Sequence, residues 1–194
     1  STFPRPMSDT PIDVFIDLPS FPGPVQAGRL WSHFRKGRES ASFEYNKEWL
    51  ANPHRFALEP LLPLADGTFH TNPGQSVFGA IGDSTPDRWG RILMRRAELA
   101  RARTANESPH TLSELDYLLR VNDEARQGAL RFSQDGGQSF CAPRGLTPIP
   151  PLVNLSRLLH AADHFCRDDE NAEDLRLLLA PGSSLGGARP KASD

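Results

Sequence analysis

The sequence is poor in several things that would define a class at once. It has two cysteines, Cys141 and Cys166, in 194 residues. Two thiols with no short C-x-x-C spacing exclude a disulfide scaffold and a zinc knuckle, so both are expected to be reduced and packed. No apolar run approaches the roughly 20 residues needed to cross a bilayer, and residues 1–11, STFPRPMSDTP, hold neither a basic region nor an apolar stretch of the kind that directs export. A soluble, cytoplasmic protein without a membrane partner is therefore expected. An excess of one charge is lacking too. The 22 basic and 24 acidic side chains leave a net charge of −2 and a pI near 6.3, with no global footprint for nucleic acid or anionic lipid. Long charge blocks, internal repeats and heptads are absent, RDDE at 167–170 being the nearest approach to a block.

What is present changes period along the chain. After a proline-rich arm at 1–11, Ile12, Val14, Ile16 and Leu18 alternate with Asp13, Phe15 and Asp17, which predicts a strand. Val25 to Phe34 predicts a second strand, with Gly28 suited to a bulge or a close approach, and Ser40 to Tyr45 a third. Lys36, Gly37 and Arg38 read as the turn between them. Trp49 and Leu50 before Asn52-Pro53 suggest a short helical turn, and Asp66-Gly67 and Asn72-Pro73-Gly74 punctuate the rest of a small β unit. Ser42, Glu44 and Tyr45 read as scaffold side chains of a strand.

From Thr85 the period becomes helical. Thr85 as N-cap, Pro86 at the first position and Asp87 in the first turn predict a helix over 86–102, with Trp89, Ile92, Leu93, Ala97 and Ala100 on its apolar face. Arg88, Arg91, Arg95 and Arg96 line the other face. Solvent or intramolecular pairing is the plainer account of that stripe, and nucleic-acid binding the weaker one. Asp83, Ser84, Asp87, Arg88 and Trp89 are explained by capping, a salt link and an anchor without chemistry.

Thr111 with Glu114 makes a capping box ahead of Leu115, Leu118 and Leu119, and GALRF at 128–132 predicts a strand turned at Asp135-Gly136-Gly137. A stiff proline-rich connection at 143–151 leads to two helices. Leu155, Leu158, Leu159, Ala162 and Phe165 give the face of the first, and Asn171 with Asp174 caps the leucine run of the second. His160 and His164 have the i, i+4 spacing of zinc ligands, but Ala161 stands where a metalloprotease motif has Glu and no third ligand is evident, so structural or solvent-facing roles are expected. His33, His54, His70 and His110 show no triad order.

The sharpest local signal is APGSSLGGARPKA at 180–192. Gly182, Gly186 and Gly187 let backbone N–H groups converge on an anion, Ser183 and Ser184 add hydroxyls, and Lys191 adds a point charge. The segment matches neither the P-loop nor the dinucleotide fingerprint nor the usual kinase glycine pattern. By itself it reads equally as a phosphate cradle or an ordinary flexible turn.

Separated runs in fixed order add to this: GRLW at 28–31, GRESASFEY at 37–45, WL at 49–50, RFALEP at 55–60, FGAIGDSTPDRWGR at 78–91, LSELDYLLRVND at 112–123, GALRF at 128–132 and LLLAPGSSLGGARPKA at 177–192. In these the chain resembles the HipA family of serine/threonine protein kinases, the toxins of toxin–antitoxin pairs. The resemblance implies an α+β fold: a small, barrel-like β-rich amino-terminal subdomain over 12–142 behind the flexible arm 1–11. The start of a protein-kinase-like N-lobe would follow over 143–194. It places the ATP-phosphate loop at Ser183, Ser184, Leu185, Gly186, Gly187, Ala188 and Lys191, with Lys191 reaching the phosphates and Ser184 as the serine autophosphorylated to switch the enzyme off. ATP and Mg²⁺ are the implied cofactors of the full-length enzyme. A helix-turn-helix antitoxin of HipB type, DNA only indirectly through it, and a protein substrate such as a glutamate-type aminoacyl-tRNA synthetase are the implied partners. The catalytic and magnesium-holding acids of this chemistry are expected beyond Asp194, so no catalytic residue is expected within the chain, which should be inactive alone. The alternative is a non-catalytic, antitoxin-like module that binds a separate kinase chain.

Overall fold

The computed structural model describes residues 11–121, 123, 126–140 and 155–182. Two compact units form. Of the described residues, the first gathers 11–84, 113–119 and 128–140, and the second 85–112, 120–121, 123, 126–127 and 155–182.

The first unit is built on strands β1 (Ile12–Ile16), β2 (Val25–Arg35), β3 (Arg38–Tyr45), β4 (Thr68–His70) and β5 (Leu130–Ser133), ordered β4-β3-β2-β1-β5 with every pair antiparallel. Lys36 (φ 50) and Gly37 (φ 75) join β2 to β3 in a two-residue turn whose positive φ angles match the strands' right-handed twist. The expected barrel-like closure is corrected: β4 and β5, three and four residues long, stand at opposite edges of the sheet and do not pair with each other, so the sheet stays open. Short helices α1 (Lys47–Ala51), α2 (Gly79–Gly82) and α4 (Glu114–Arg120) supply apolar cover instead. Trp49, Ile81 and Leu118 join Ile12, Leu30 and Phe43 in one wholly buried cluster.

All five residues of β1 are buried, although their sequence alternates. Ile12, Val14 and Ile16 enter the core, while Phe15 on the other face is covered edge-on by Phe140 at 5.3 Å. Asp13 survives there because Gln26 and Arg29 donate to it at 2.7 and 2.9 Å. The register of β1 against β2 shifts between Val14 and Phe15, next to Gly28.

α4 begins differently from the expected Thr111/Glu114 box. Ser113 and Asp116 exchange the reciprocal capping bonds, at 3.1 Å from the Asp116 N–H to Ser113 Oγ and 2.9 Å from the Ser113 N–H to Asp116 Oδ2. The N–H groups of Glu114 and Leu115 donate to the carboxylate of Glu39 on β3, at 2.8 and 3.2 Å. A strand carboxylate thus satisfies two of the donors that a helix leaves open at its start.

The second unit holds α3 (Arg88–Ala105), α5 (Leu155–Cys166) and α6 (Ala172–Gly182). The cap of α3 is Asp87, which accepts the Gly90 N–H at 2.8 Å, and not Thr85. Arg91 explains the shift, because its guanidinium takes the Thr85 hydroxyl and the Pro86 carbonyl, holding both outside the helix. α3 runs past 102 to Asn106, whose left-handed conformation ends it. Trp89 and Leu93 are buried against Ala161, Phe165, Leu175 and Leu178, with Ile92, Ala97 and Ala100 at the margin, as the apolar face predicts. Cys166 is exposed, which corrects the expectation that it is packed.

Candidate functional site

The glycine-rich segment follows α6, so the site begins with what fixes α5 and α6. Asn171 Oδ1 accepts from the N–H groups of Glu173 and Asp174 at 2.8 and 3.0 Å, and Asp174 Oδ2 accepts from the Asn171 N–H at 3.1 Å. This reciprocal box is the one the sequence predicts. His164, on α5, adds a third tie to the same Asp174 oxygen at 3.0 Å. Its ring is therefore engaged within the fold, while His160 is exposed, and neither faces a ligand set. No group of three or more His, Cys, Asp or Glu suited to a metal occurs among the described residues.

Arg96 of α3 fastens the turn between α5 and α6. Its guanidinium lies 4.1 Å from the Phe165 ring centroid, meets Glu170 at 2.8 Å and Asp168 at 2.7 Å, and reaches the Phe165 carbonyl. The Trp89 ring also meets Phe165, edge-on with centroids 4.7 Å apart. Two arginines of the basic stripe, Arg91 and Arg96, are thus spent on intramolecular pairing, whereas Arg88 and Arg95 are exposed.

The Asp174 hydrogen bond raises the pKa of His164, against a smaller opposing effect of burial. Burial pushes Asp174 up, but the Asn171 amide and His164 outweigh it and leave its pKa lowered. The histidine's stabilising contribution is fully present below its unfolded pKa of about 6.5 and is lost as pH rises through the higher folded value. The aspartate's is present above about 3.9 and is lost as pH falls through the lower folded value. The tie is complete between those limits. A His164→Gln variant should melt below the parent at pH 5 to 6, with the gap closing above neutrality, as thermal unfolding across pH will show.

α6 continues through Pro181 to Gly182. Gly182 is therefore the last residue of the helix, directly before the nominated loop. Ser183, Ser184, Leu185, Gly186, Gly187, Ala188 and Lys191 lie outside the described residues.

Several other polar groups are paired within the fold. Asp135 accepts from Ser139 through both hydroxyl and amide and from the Ser133 hydroxyl, and these bonds hold its carboxyl at about 2. Ser42 hydrogen-bonds His33, Glu44 accepts from Thr68, and the Tyr45 hydroxyl donates to the Leu62 carbonyl while accepting the Leu58 N–H. All three act as the scaffold the sequence suggests. Sequence reasoning passed over Glu98, which is 2% exposed on α3 and takes hydrogen bonds from Arg101, Arg120 and the His110 N–H. Its sequence signal is an acid in line with Met94 and Ala102, which are buried one turn on either side.

An open five-stranded antiparallel sheet with apolar cover from short helices, continued into a helical unit, defines an α+β protein whose described part carries no assembled catalytic constellation. The family description HipA N-terminal domain (Couple_hipA) matches residues 23–133, and the chain belongs to that family. The match begins just before β2 and ends with the last residue of β5. A search of curated proteins finds no match. No described helix is long and apolar enough to cross a membrane.

Proposed function

We propose that the chain is the amino-terminal part of a HipA-type serine/threonine protein kinase, the toxin of a toxin–antitoxin pair, and that Ser183 to Lys191 holds the phosphates of ATP. The observation that carries this reading is continuity. A sheet unit of the HipA N-terminal domain family is followed in the same chain by a capped helix, α6, leading directly into SSLGGARPK. A stand-alone interaction module has little use for a segment of that chemistry.

In this reading the N–H groups around Gly186 and Gly187 surround phosphate oxygens, and Lys191 supplies a compact charge to the same oxygens. Mg²⁺ shares the phosphates when bound. Phosphorylation of Ser184 adds a charge near −2 and drives the segment away from nucleotide. The phosphoryl acceptor is a protein hydroxyl, with an aminoacyl-tRNA synthetase as the family's example, and a HipB-type antitoxin provides the link to DNA in the cytoplasm.

The test is phosphoryl transfer from labelled ATP by the complete encoded protein. Lys191→Ala should lower kcat/KM for ATP about tenfold or more, equivalent to about 1.4 kcal/mol of transition-state stabilisation. Ser184→Ala should keep transfer activity and lose self-labelling. An unchanged kcat/KM in Lys191→Ala removes the cradle from the account.

A further inference from the structure

The sheet face turned away from the core carries chemistry that neither the fold nor the kinase reading uses. Leu30 of β2 pairs with Phe43 of β3, and both are wholly buried. Strand alternation therefore sends Arg29, Trp31, His33 and Arg35 to the opposite face, beside their cross-strand partners Glu44, Ser42, Ser40 and Arg38. Near the middle of the sheet the charges are settled internally: Arg29 meets Asp13 at 2.9 Å, and Glu44 accepts the Thr68 hydroxyl.

At the hairpin end they are not. Arg35 and Arg38 face each other directly across the ladder, Lys36 lies in the turn between them, and all three are exposed. Among the described residues no acid pairs with any of the three. The adjoining acid, Glu39, is committed to the Ser32 hydroxyl and the first N–H groups of α4. Like charges directly opposite in an antiparallel pair oppose hairpin formation. A sequence that breaks this local rule without internal compensation marks a place where something else supplies the negative charge.

The aromatic groups indicate what that is. Trp49 and Trp89 are 0% and 5% exposed, within the two cores. Trp31 is half-buried on the open face, and among the described residues its ring meets no other aromatic and its indole N–H no acceptor. His33 is held in place by Ser42 at 2.7 Å. An acidic peptide would answer the cations and leave the indole unused. A duplex presents phosphates but keeps its bases stacked inside. A single strand offers phosphates together with open base faces, which is the pairing of aromatic platform and cationic border that single-strand binders use.

We infer that the outer half of this sheet face, comprising Trp31, His33 and Arg35 with Lys36 and Arg38 at the turn, binds single-stranded nucleic acid. A base stacks on Trp31, and the backbone runs along β2 to the three cations at the turn. Trp31 to Arg35 spans about 14 Å on an extended strand, room for a few nucleotides. This site is independent of nucleotide binding by the glycine-rich segment, and either stands if the other fails.

The test titrates the 194-residue chain with labelled oligothymidylate and oligouridylate at several salt concentrations, following anisotropy and intrinsic tryptophan emission. Binding should quench emission, because Trp31, one of the three tryptophans, is only half-buried. Trp31→Thr should weaken binding about tenfold, while Trp31→Tyr, which keeps a stacking face, retains most of it. The double variant Arg35→Gln/Arg38→Gln should lower the slope of log K against log salt by about 1.4, two single-strand phosphate contacts. It should melt no lower than the parent, since a like-charge pair is removed. Absence of oligonucleotide binding, tighter binding of a duplex of equal length, or displacement by polyglutamate at equal charge overturns the inference. Should Trp31→Thr not fold, the double variant decides alone, and an unchanged salt slope is equally fatal.

Discussion

A Gly28→Val variant is expected to lose the sheet unit. A Cβ at position 28 would lie 2.2 Å from the Glu44 carbonyl oxygen and 2.5 Å from Cζ of Phe43. Neither neighbour can yield. The carbonyl belongs to a backbone paired with β2 on one side and β4 on the other, and Phe43 is wholly buried, edge-on to Tyr45 at 5.0 Å and to Phe78 at 6.4 Å. Gly28 also stands opposite Val14, where the register of β1 slips, so a displaced β2 would disturb the pairing of a strand buried on both faces. Overpacking a well-filled core costs about 1–3 kcal/mol when side chains can adjust. Here the obstacle is backbone, and the loss should be at least about 3 kcal/mol. Urea unfolding with far-UV circular dichroism will measure it. A variant within about 0.5 kcal/mol of the parent, the range of a neutral surface change, would mean that β2 and β3 do not approach as described.

The glycine's role is legible in the sequence only as a choice between a bulge and a close approach, and the structure contains both, since the slip at Val14/Phe15 adjoins the contact with Phe43. Elements were readable where one local pattern dominated: the alternation of β1, the turn at Lys36-Gly37, the apolar face of α3 and the Asn171/Asp174 box. Errors arose where neighbouring residues competed for one role. Thr85 and Asp87 are both competent caps, and Arg91, by holding Thr85, leaves the position to Asp87. Thr111/Glu114 and Ser113/Asp116 are both capping boxes, and the second prevails where Glu39, 75 residues away in sequence, takes the Glu114 N–H. Burial of both faces of β1 depends on Phe140, and whether a sheet closes depends on its edges meeting, neither of which a local period encodes. The residues nominated for phosphate binding fall after α6, outside both the described residues and the matched span 23–133, so that reading rests on the sequence chemistry and the resemblance. Glu98 was overlooked for the opposite reason, because an acid on a charged helix attracts no notice until its partners are known.

Those partners make Glu98→Ala the variant with the largest expected effect on the helical unit. The carboxylate of Glu98 receives the Arg101 guanidinium at 2.8 and 3.2 Å, Arg120 at 3.3 Å and the His110 N–H at 3.2 Å, joining α3 to the chain before α4 and to the end of α4 itself. Removing one member of a buried charged network costs about 3–5 kcal/mol when the remaining charges are trapped. Arg101 and Arg120 keep 29% of their side-chain surface exposed and can turn toward water, so about 2–3 kcal/mol is expected, read by urea unfolding. Burial alone would raise the pKa of Glu98, but the Arg101 hydrogen bond, the His110 amide and the charges of Arg120 and Arg101 outweigh it and leave it lowered. Its contribution is accordingly present above the unfolded value of about 4.3 and is lost as pH falls through the lower folded value. The gap between parent and Glu98→Ala should narrow on acidification, whereas the gap produced by His164→Gln narrows as pH rises past neutrality. Two ties within one helical unit thus fail at opposite ends of the pH scale, and a variant whose destabilisation does not change between about pH 6 and pH 3 would show that the carboxylate of Glu98 is not held by its arginines.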